Sequence, residues 1–483
     1  MASPKTIPDA QRLVRTIGAD DAGRLRLRRQ WVIQPSSTPN THGWAQSELG
    51  HDLVLRHHPD TIVRRWESAG DAIWLIGVAM GESGSPDFSE PTSRSHDAVT
   101  QALDQLAGMY VLVRVDEQDV HCYTDPAAMM GLYVKEQSVS STPTLLETLE
   151  RDESIANEYT LGGCDDWYTG RTTPFVGVHC VLANHCYSIR TGSERRFWPR
   201  ESFGGMSHDE GVRAIASHFR GLLQALASEH PLLVSLTGGR DSRINLASCR
   251  DVLDRVSAFT LRGEGVHPRD VAIPERLAER FGFRHELVDL EQTPEWLDAI
   301  YDEMTSGLVI GSRRRVLGAC RHLCSDDAIH VNGNLGATAL GFFWDSPQPA
   351  RVREESLLKE FVQKPGCIRE GVRQWLDSVP DMAPGAIYNL MYFEQRGGRW
   401  MGPGETASQI FYNSFSPFCS REFFRVLSSM PVPSQRGATV LRQIVAESWP
   451  ELLCEPYCSG TSLIGRAVPK RLKMMLKGLR HHG

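Results

Sequence analysis

Ser235-Leu236-Thr237-Gly238-Gly239-Arg240-Asp241-Ser242 is the stretch of this sequence whose residue types and spacing could do chemistry. Two adjacent glycines let a backbone bend with no Cβ in the way, so several amide N–H groups can face one anion. The hydroxyls of Ser235, Thr237 and Ser242 can donate to the oxygens of such an anion, and Arg240 or Arg243 can neutralise its charge. Asp241 can hold a Mg2+ ion bridging those oxygens. A polyphosphate is the ligand such a set suits. The competing reading is a tight strand-to-helix turn capped by Asp or Ser, with no ligand. A Walker A loop is excluded, because the chain has no Gly-Lys-Ser/Thr ending with the longer glycine spacing.

The flanking elements must place this loop. Val212, Ile215, Phe219, Leu222, Leu223 and Leu226 recur at helical spacing, and the apolar run 232–236 then reads as a buried strand. Beyond the loop the pattern predicts a helix over about 241–253, a strand at 256–261, a helix over about 269–280 and strands at 286–289 and 328–331. Such alternation implies a doubly wound parallel sheet. The loop then lies at the carboxyl ends of the strands, where ligands bind, and the positive end of a helix dipole adds to the pull on an anion. From about 354 to 453 the sequence reads as largely helical.

Residues 1 to about 200 read differently. Short β-rich runs at 31–33, 72–78, 110–115 and 121–123, with a helix over 98–106, predict an α+β sandwich. The stretch 195–205 loses periodicity and gains Pro, Gly and charge, which sets a boundary between domains 1–203 and 204–483.

Composition bounds the function. A chain of 483 residues with 41% hydrophobic and 23% charged residues is a globular protein with ample core, and a formal net charge of -7 gives no attraction to nucleic acid. Eleven cysteines, odd in number and scattered, suggest reduced thiols and a cytoplasmic location. Cys320-Arg321-His322-Leu323-Cys324 lacks the spacing and the second ligand pair of a structural zinc site. With no apolar run of about 18 residues, no transmembrane segment is expected. The basic stretch from Lys470 to Arg480 reads as a solvated terminal helix or as one resting on an anionic surface.

The loop resembles the PP-loop of the ATP-pyrophosphatase superfamily, Ser-Gly-Gly-x-Asp-Ser, with Thr237 in place of the first serine. Leu106 to Tyr110 followed by Thr124 to Tyr133, Arg196-Phe197-Trp198-Pro199, and Phe415 to Phe423 resemble further segments of the glutamine-hydrolysing asparagine synthases. The resemblance implies an Ntn-like amidotransferase domain over 1–203, then an α/β domain of the adenine nucleotide alpha hydrolase type with a helical C-terminal part. It implies ATP and Mg2+ as cofactors. Ser235, Thr237, Gly238, Gly239, Asp241 and Ser242 would grip the β- and γ-phosphates, with Leu261 and Arg262 at the end of the next strand facing the nucleotide. Asp241 would be the metal ligand, and Arg240 and Asp241 the catalytic pair. A small-molecule or peptide carboxylate would attack the α-phosphorus, pyrophosphate would leave, and an amine donor would turn the acyl-adenylate into an amide. Beta-lactam synthetases and lasso-peptide cyclases resemble the same fold and use an internal amine. A homodimer is compatible with this reading.

Three departures from the family bear on that reading. The family's glutaminase uses an N-terminal cysteine, whereas this chain begins Met1-Ala2-Ser3, so an inactive first domain is expected. Val331-Asn332-Gly333-Asn334-Leu335-Gly336-Ala337 stands where the family has Gly-Asp-Gly-Gly/Ala-Asp-Glu, so Asn332 or Asn334 offers Mg2+ only a neutral oxygen. Glu455 to Gly460 occupies the region of a family lysine that steadies developing charge, leaving Arg436 or Arg442 as substitutes. These losses keep open a third reading, a nucleotide-binding partner without catalysis.

Overall fold

The computed structural model describes residues 25–458 apart from 69, 164–165, 291, 312–313, 322, 324–326, 345–348 and 362. Met1 to Ser3, the basic tail, and His322 and Cys324 of the cysteine cluster lie outside the described residues; Cys320 is buried.

Two antiparallel sheets of six strands each build the N-terminal half. One runs in the spatial order His179–Cys180, Tyr133–Lys135, Ser138–Ser140, Trp31–Pro35, Leu53–His57, Ala45–Gly50. The other runs Glu194–Arg196, His185–Ser188, Val120–Thr124, Ala107–Val115, Asp71–Met80, Val63–Ser68. The strands Asp71–Met80 and Ala107–Val115 are buried on both faces over most of their length, which is why they read as continuous apolar runs. Helix His96–Asp104 begins where the Ser95 side chain accepts from the Ala98 N–H, and it buries Val99 and Leu103.

The second half is built on a parallel sheet of five strands in the order Arg284–Asp289, Val256–Arg262, Leu232–Ser235, Ile329–Val331, Asn413–Phe415. The chain is thus a mixed fold of antiparallel and parallel sheets. Helix His208–Glu229 starts with a capping box between Ser207 and Glu210 and buries the six apolar residues whose spacing announced it. Helix Pro268–Phe281 ends at Gly282, whose φ of 73° is the left-handed conformation that glycine adopts without cost. One expectation is corrected, and the reading of 354–453 as largely helical holds with one addition. Helix Asp241–Ser248 stops short of 253, because the Cys249 N–H turns back to the carbonyls of Asn245, Leu246 and Ala247 and the chain tightens into the 3₁₀ segment Arg250–Arg255. The region expected to be helical also contains the fifth strand, Asn413–Phe415, three residues too short to carry a period.

That fifth strand joins the halves. The Gly108 N–H donates to the Cys419 carbonyl at 3.0 Å, and a Cβ on Gly108 would lie 3.1 Å from the Phe415 ring. Beside it, the buried Arg421 guanidinium donates to Asn184 Oδ1, Tyr110 Oη and the carbonyls of Leu103 and Thr124. Glu394, also buried, accepts from Arg196, Trp375 Nε1 and Asn184 Nδ2. One continuous apolar cluster runs from Trp31 and Ile73 through Leu222 to Val331 and Leu441. The antiparallel half therefore braces the parallel sheet that carries the loop. Among the described residues no helix is long and apolar enough to cross a membrane.

Candidate functional site

Leu232–Ser235 is the central strand of the parallel sheet, paired on one side with Val256–Arg262 and on the other with Ile329–Val331. Its register is held to the end by the Leu236 N–H, which donates to the Phe259 carbonyl at 2.8 Å, and by Thr260 Oγ1, which donates to the Leu236 carbonyl at 2.7 Å. The chain then leaves the carboxyl edge and turns into helix Asp241–Ser248. The residues foreseen at the loop are brought to the sheet edge where nucleotides bind in doubly wound folds.

Within the loop, Ser242 Oγ accepts from the Thr237 N–H at 3.1 Å, and Thr237 Oγ1 accepts from the Gly239 N–H at 3.0 Å. The Gly238 N–H donates to Asp270 Oδ1 at 3.1 Å. Three amides of the turn thus meet two hydroxyls and one carboxylate, acceptors an incoming phosphate would displace. Ser235 Oγ donates across to the Val331 carbonyl on the neighbouring strand at 3.4 Å.

Asp241 is the outlier in the cluster. Among the described residues its carboxylate has neither a hydrogen bond nor an ion pair, and burial pushes its pKa up to about 6 against the opposing pull of Arg240. It lies beneath the 332–336 turn. A Cβ on Gly333 would come 2.7 Å from Asp241 Cβ, and one on Gly336 would come 2.5 Å from its Cγ. Two glycines separated by two residues therefore make room for one carboxylate, a contact that spacing alone did not reveal.

The arginines divide. Arg243 is fully buried and donates to the carbonyls of Leu452, Glu455 and Pro456, with its guanidinium 4.2 Å from the Tyr457 ring centroid. It anchors the strap 455–458 and is not placed for a ligand. Arg240 is half-buried, 5.3 Å from the same ring. Arg262 is exposed and its guanidinium is held bidentately by Asp289 at 2.6 and 2.9 Å, its register partner on the next strand; Leu261 beside it packs on the cluster of Phe259 and Val288. Both stand at the carboxyl edge of the sheet, where the ion pair with Asp289 occupies the Arg262 guanidinium.

Four contributors escaped the sequence reading in these roles. Asp270 takes the Gly238 amide, and the Cys458 N–H donates to the Gly238 carbonyl at 2.8 Å. Tyr457 stacks on both arginines, and Glu405 receives the side chains of Asn332 and Asn334 at 3.3 and 2.9 Å. Cys458 Sγ also lies 3.5 Å from His267 Nδ1, but burial and the nearby Asp270 push the thiol up, which is the wrong direction for a nucleophile.

The donors present do not fit a resident magnesium ion. Asn332 Oδ1 accepts from the Asn334 N–H at 3.0 Å while its Nδ2 donates to Glu405, so both ends of this amide are already engaged. Among the described residues no group of three or more His, Cys, Asp or Glu could hold a metal. A cavity of 780 Å³ lies elsewhere, at the amino ends of the same strands between Leu232, Ser257, Arg284 and Ala328. It sits on the edge opposite the loop.

No protein-family model and no curated protein matches the sequence. Among solved structures, an NMN synthetase from Francisella tularensis is 10% identical over 39% of this chain and 93% of its own, with a TM-score of 0.22. A glutamine-dependent NAD+ synthetase from Acinetobacter baumannii, in complex with ADP, is 15% identical over 36% of this chain and 38% of its own, with a TM-score of 0.18. A glutamine phosphoribosylpyrophosphate amidotransferase from B. subtilis, complexed with ADP and GMP, is 12% identical over 66% of this chain and 72% of its own, with a TM-score of 0.21. At such scores these likenesses carry no argument about chemistry, which rests on the chain's own geometry.

Proposed function

We propose that this chain binds ATP through the loop 235–242 and acts as an AMP-forming amide ligase of the asparagine synthase type, with a first domain that is structural. The observation that carries the reading is Asp241, a carboxylate without a partner among the described residues, pushed up to about 6 at the start of a helix on the carboxyl edge of a parallel sheet. A group held in that state without a partner is costly to folding, and sites of ligand binding are where such costs are kept. Around it Thr237, Gly238, Gly239 and Ser242 offer amides and hydroxyls to a pyrophosphate, with Arg240 as the nearby cation. Ser235 begins the turn, and Leu261 and Arg262 close the adenine side.

In this reading the loop holds the departing pyrophosphate while a small-molecule or peptide carboxylate attacks the α-phosphorus. Fixed amides aimed at charge that builds on the leaving group lower the barrier. The nitrogen of free ammonia or of a second substrate's amine then attacks the acyl carbon, the carbon–oxygen bond to AMP breaks, and AMP leaves as the nitrogen gives up a proton, an internal amine being the one used in beta-lactam synthetases and lasso-peptide cyclases. No step is routed through a metal.

A second reading is favoured by a specific observation: the turn's amides are already satisfied internally, and the strap 455–458 is fastened over Gly238. That suits a nucleotide-binding partner without catalysis. Pyrophosphate release from ATP with candidate acids, in wild type and Asp241→Ala, separates the two. The ligase reading expects release in the wild type and its loss in the variant. Equal nucleotide binding by both proteins, with no turnover by either, would leave the binding reading standing alone.

A further inference from the structure

We propose that Glu405 is a positioning residue of this site: through a clasp on Asn332 and Asn334 it fixes the 332–336 turn over Asp241. The proposal rests on reading the loop as a phosphate site.

Glu405 is 2% exposed, in helix Gly402–Ser408. A carboxylate buried so deeply persists where donors meet it, and the Nδ2 groups of Asn332 and Asn334 do so at 3.3 and 2.9 Å. The amide of Asn332 is oriented by its partners, since Oδ1 must face the Asn334 N–H and Nδ2 must face Glu405. An aspartate at 332 would set two carboxylates against each other, so the neutral side chain at this point is a requirement of Glu405. The rest of the turn is tied to its neighbours: the Asn332 N–H donates to the Phe415 carbonyl, Asn245 Nδ2 to the Asn332 carbonyl, and Ser416 Oγ to the Asn334 carbonyl, at 3.0, 2.8 and 2.7 Å.

A second, independent feature marks the turn. Leu335 has a φ of 71°, in the left-handed region that a leucine rarely enters. Such a backbone persists only where its surroundings over-determine it, and strained positions of this kind gather at functional sites. The buried Leu335 side chain is pressed toward Gly397, where a Cβ would lie 2.8 Å from Leu335 Cδ2. On the other face of the turn Gly333 and Gly336 lie directly on Asp241. The clasp, the strained residue and the two glycines thus form one mechanical path from a buried carboxylate to the carboxylate of the phosphate loop.

The test is isothermal titration of the full chain with inorganic pyrophosphate, using Glu405→Gln, Asn332→Asp, the exchange Asn332→Asp/Glu405→Gln, and Asn334→Ala as a milder variant that removes one donor. Coupled neighbours are expected to show roughly tenfold losses in the two single acid–amide changes and recovery to within about threefold in the exchange. Relative to wild type at each pH, a comparison that cancels the titration of Asp241 beneath the turn and of the ligand, Asn332→Asp should regain affinity on acidification as its new carboxylate takes up a proton beside Glu405, a response that a simple packing defect would not show. Unchanged affinity in Glu405→Gln and Asn334→Ala, or an exchange no better than Asn332→Asp alone, overturns the clasp and leaves the phosphate site standing. A wild type that binds no pyrophosphate overturns the phosphate reading and the positioning role with it.

Discussion

The backbone N–H of Cys458 donates to the carbonyl of Gly238 at 2.8 Å, and the Cys458 Cβ lies 2.8 Å from the point a Cβ on Gly238 would occupy. The strap is therefore fitted to a glycine. Gly238→Ala would also meet the Arg269 carbonyl and Asp270 Oδ1, each at 3.1 Å. Overpacking against the Cys458 Cβ and the Arg269 carbonyl should cost about 1–3 kcal/mol in urea unfolding. Wild-type stability in the variant would show that the strap yields freely and does not seal the loop.

Asp270 offers a second handle on the same turn. It places a carboxylate on the Gly238 amide, where a phosphate oxygen would otherwise sit. Removing one like charge a few ångströms from a bound anion is worth roughly 1 kcal/mol, about fivefold in affinity, in a well-solvated loop. Asp270→Ala is expected to bind pyrophosphate more tightly by that factor, with the gain shrinking in high salt. Weaker binding instead would mean that Asp270 shapes the turn for the anion.

The pH dependence of stability has a definite sign at Asp241. Its native pKa is raised to about 6, against an ordinary aspartate value of about 3.9, so the neutral form is the one the fold favours. The associated stability is fully present below the unfolded value and is lost as pH rises through about 6. Asp241→Asn holds the side chain neutral throughout. Thermal melts should show the two proteins alike near pH 4 and Asp241→Asn the more stable above pH 6, both rough limits of the titration window. Asp125, also raised to about 6 by burial, is present in both proteins and cancels from the difference. A difference independent of pH would remove the basis for Asp241 as a poised carboxylate.

Much of the parallel half was legible because its helices and strands alternate with clear periods: Val212 to Leu226 announced a buried helix face, and 232–236 and 256–261 announced the strands flanking the loop. Asn413–Phe415 was not, since three residues with Asn and Ser carry no period and take their strand geometry from Ile329–Val331 beside them. Among the strands not foreseen in the antiparallel half, Glu194–Arg196 was hidden for the same reason: it holds three charged residues and is a strand because His185–Ser188 pairs with it. At the site, the glycines and hydroxyls could be read from local chemistry. Glu405, Asp270 and Tyr457 could not, because each acts on residues 32 to more than 200 positions away and nothing in its own neighbourhood signals the contact.

Arg421 extends this lesson to stability. Its guanidinium is 1% exposed and serves acceptors from four separate places in the N-terminal half: Leu103, Tyr110, Thr124 and Asn184. The Phe197 ring lies 4.9 Å from the guanidinium, which also draws down the pKa of Asp125 below what burial alone would impose. Arg421→Met keeps much of the volume but leaves those acceptors buried without donors, each a loss of about 1–3 kcal/mol when uncompensated. The expected total is on the order of 3–5 kcal/mol after partial relaxation, measured by urea unfolding. Arg421→Lys retains a charge but can reach fewer of the diverging acceptors, so it should fall between the two. Because Phe415, Cys419 and Arg421 tie the edge of the parallel sheet to the strand Ala107–Val115, fluorescence of Trp74 and Trp198 and far-ultraviolet circular dichroism should report one shared transition in the wild type. In Arg421→Met the two signals should separate, with the sheet junction opening first; coincident transitions at an unchanged midpoint would mean that the apolar cluster alone holds the halves together.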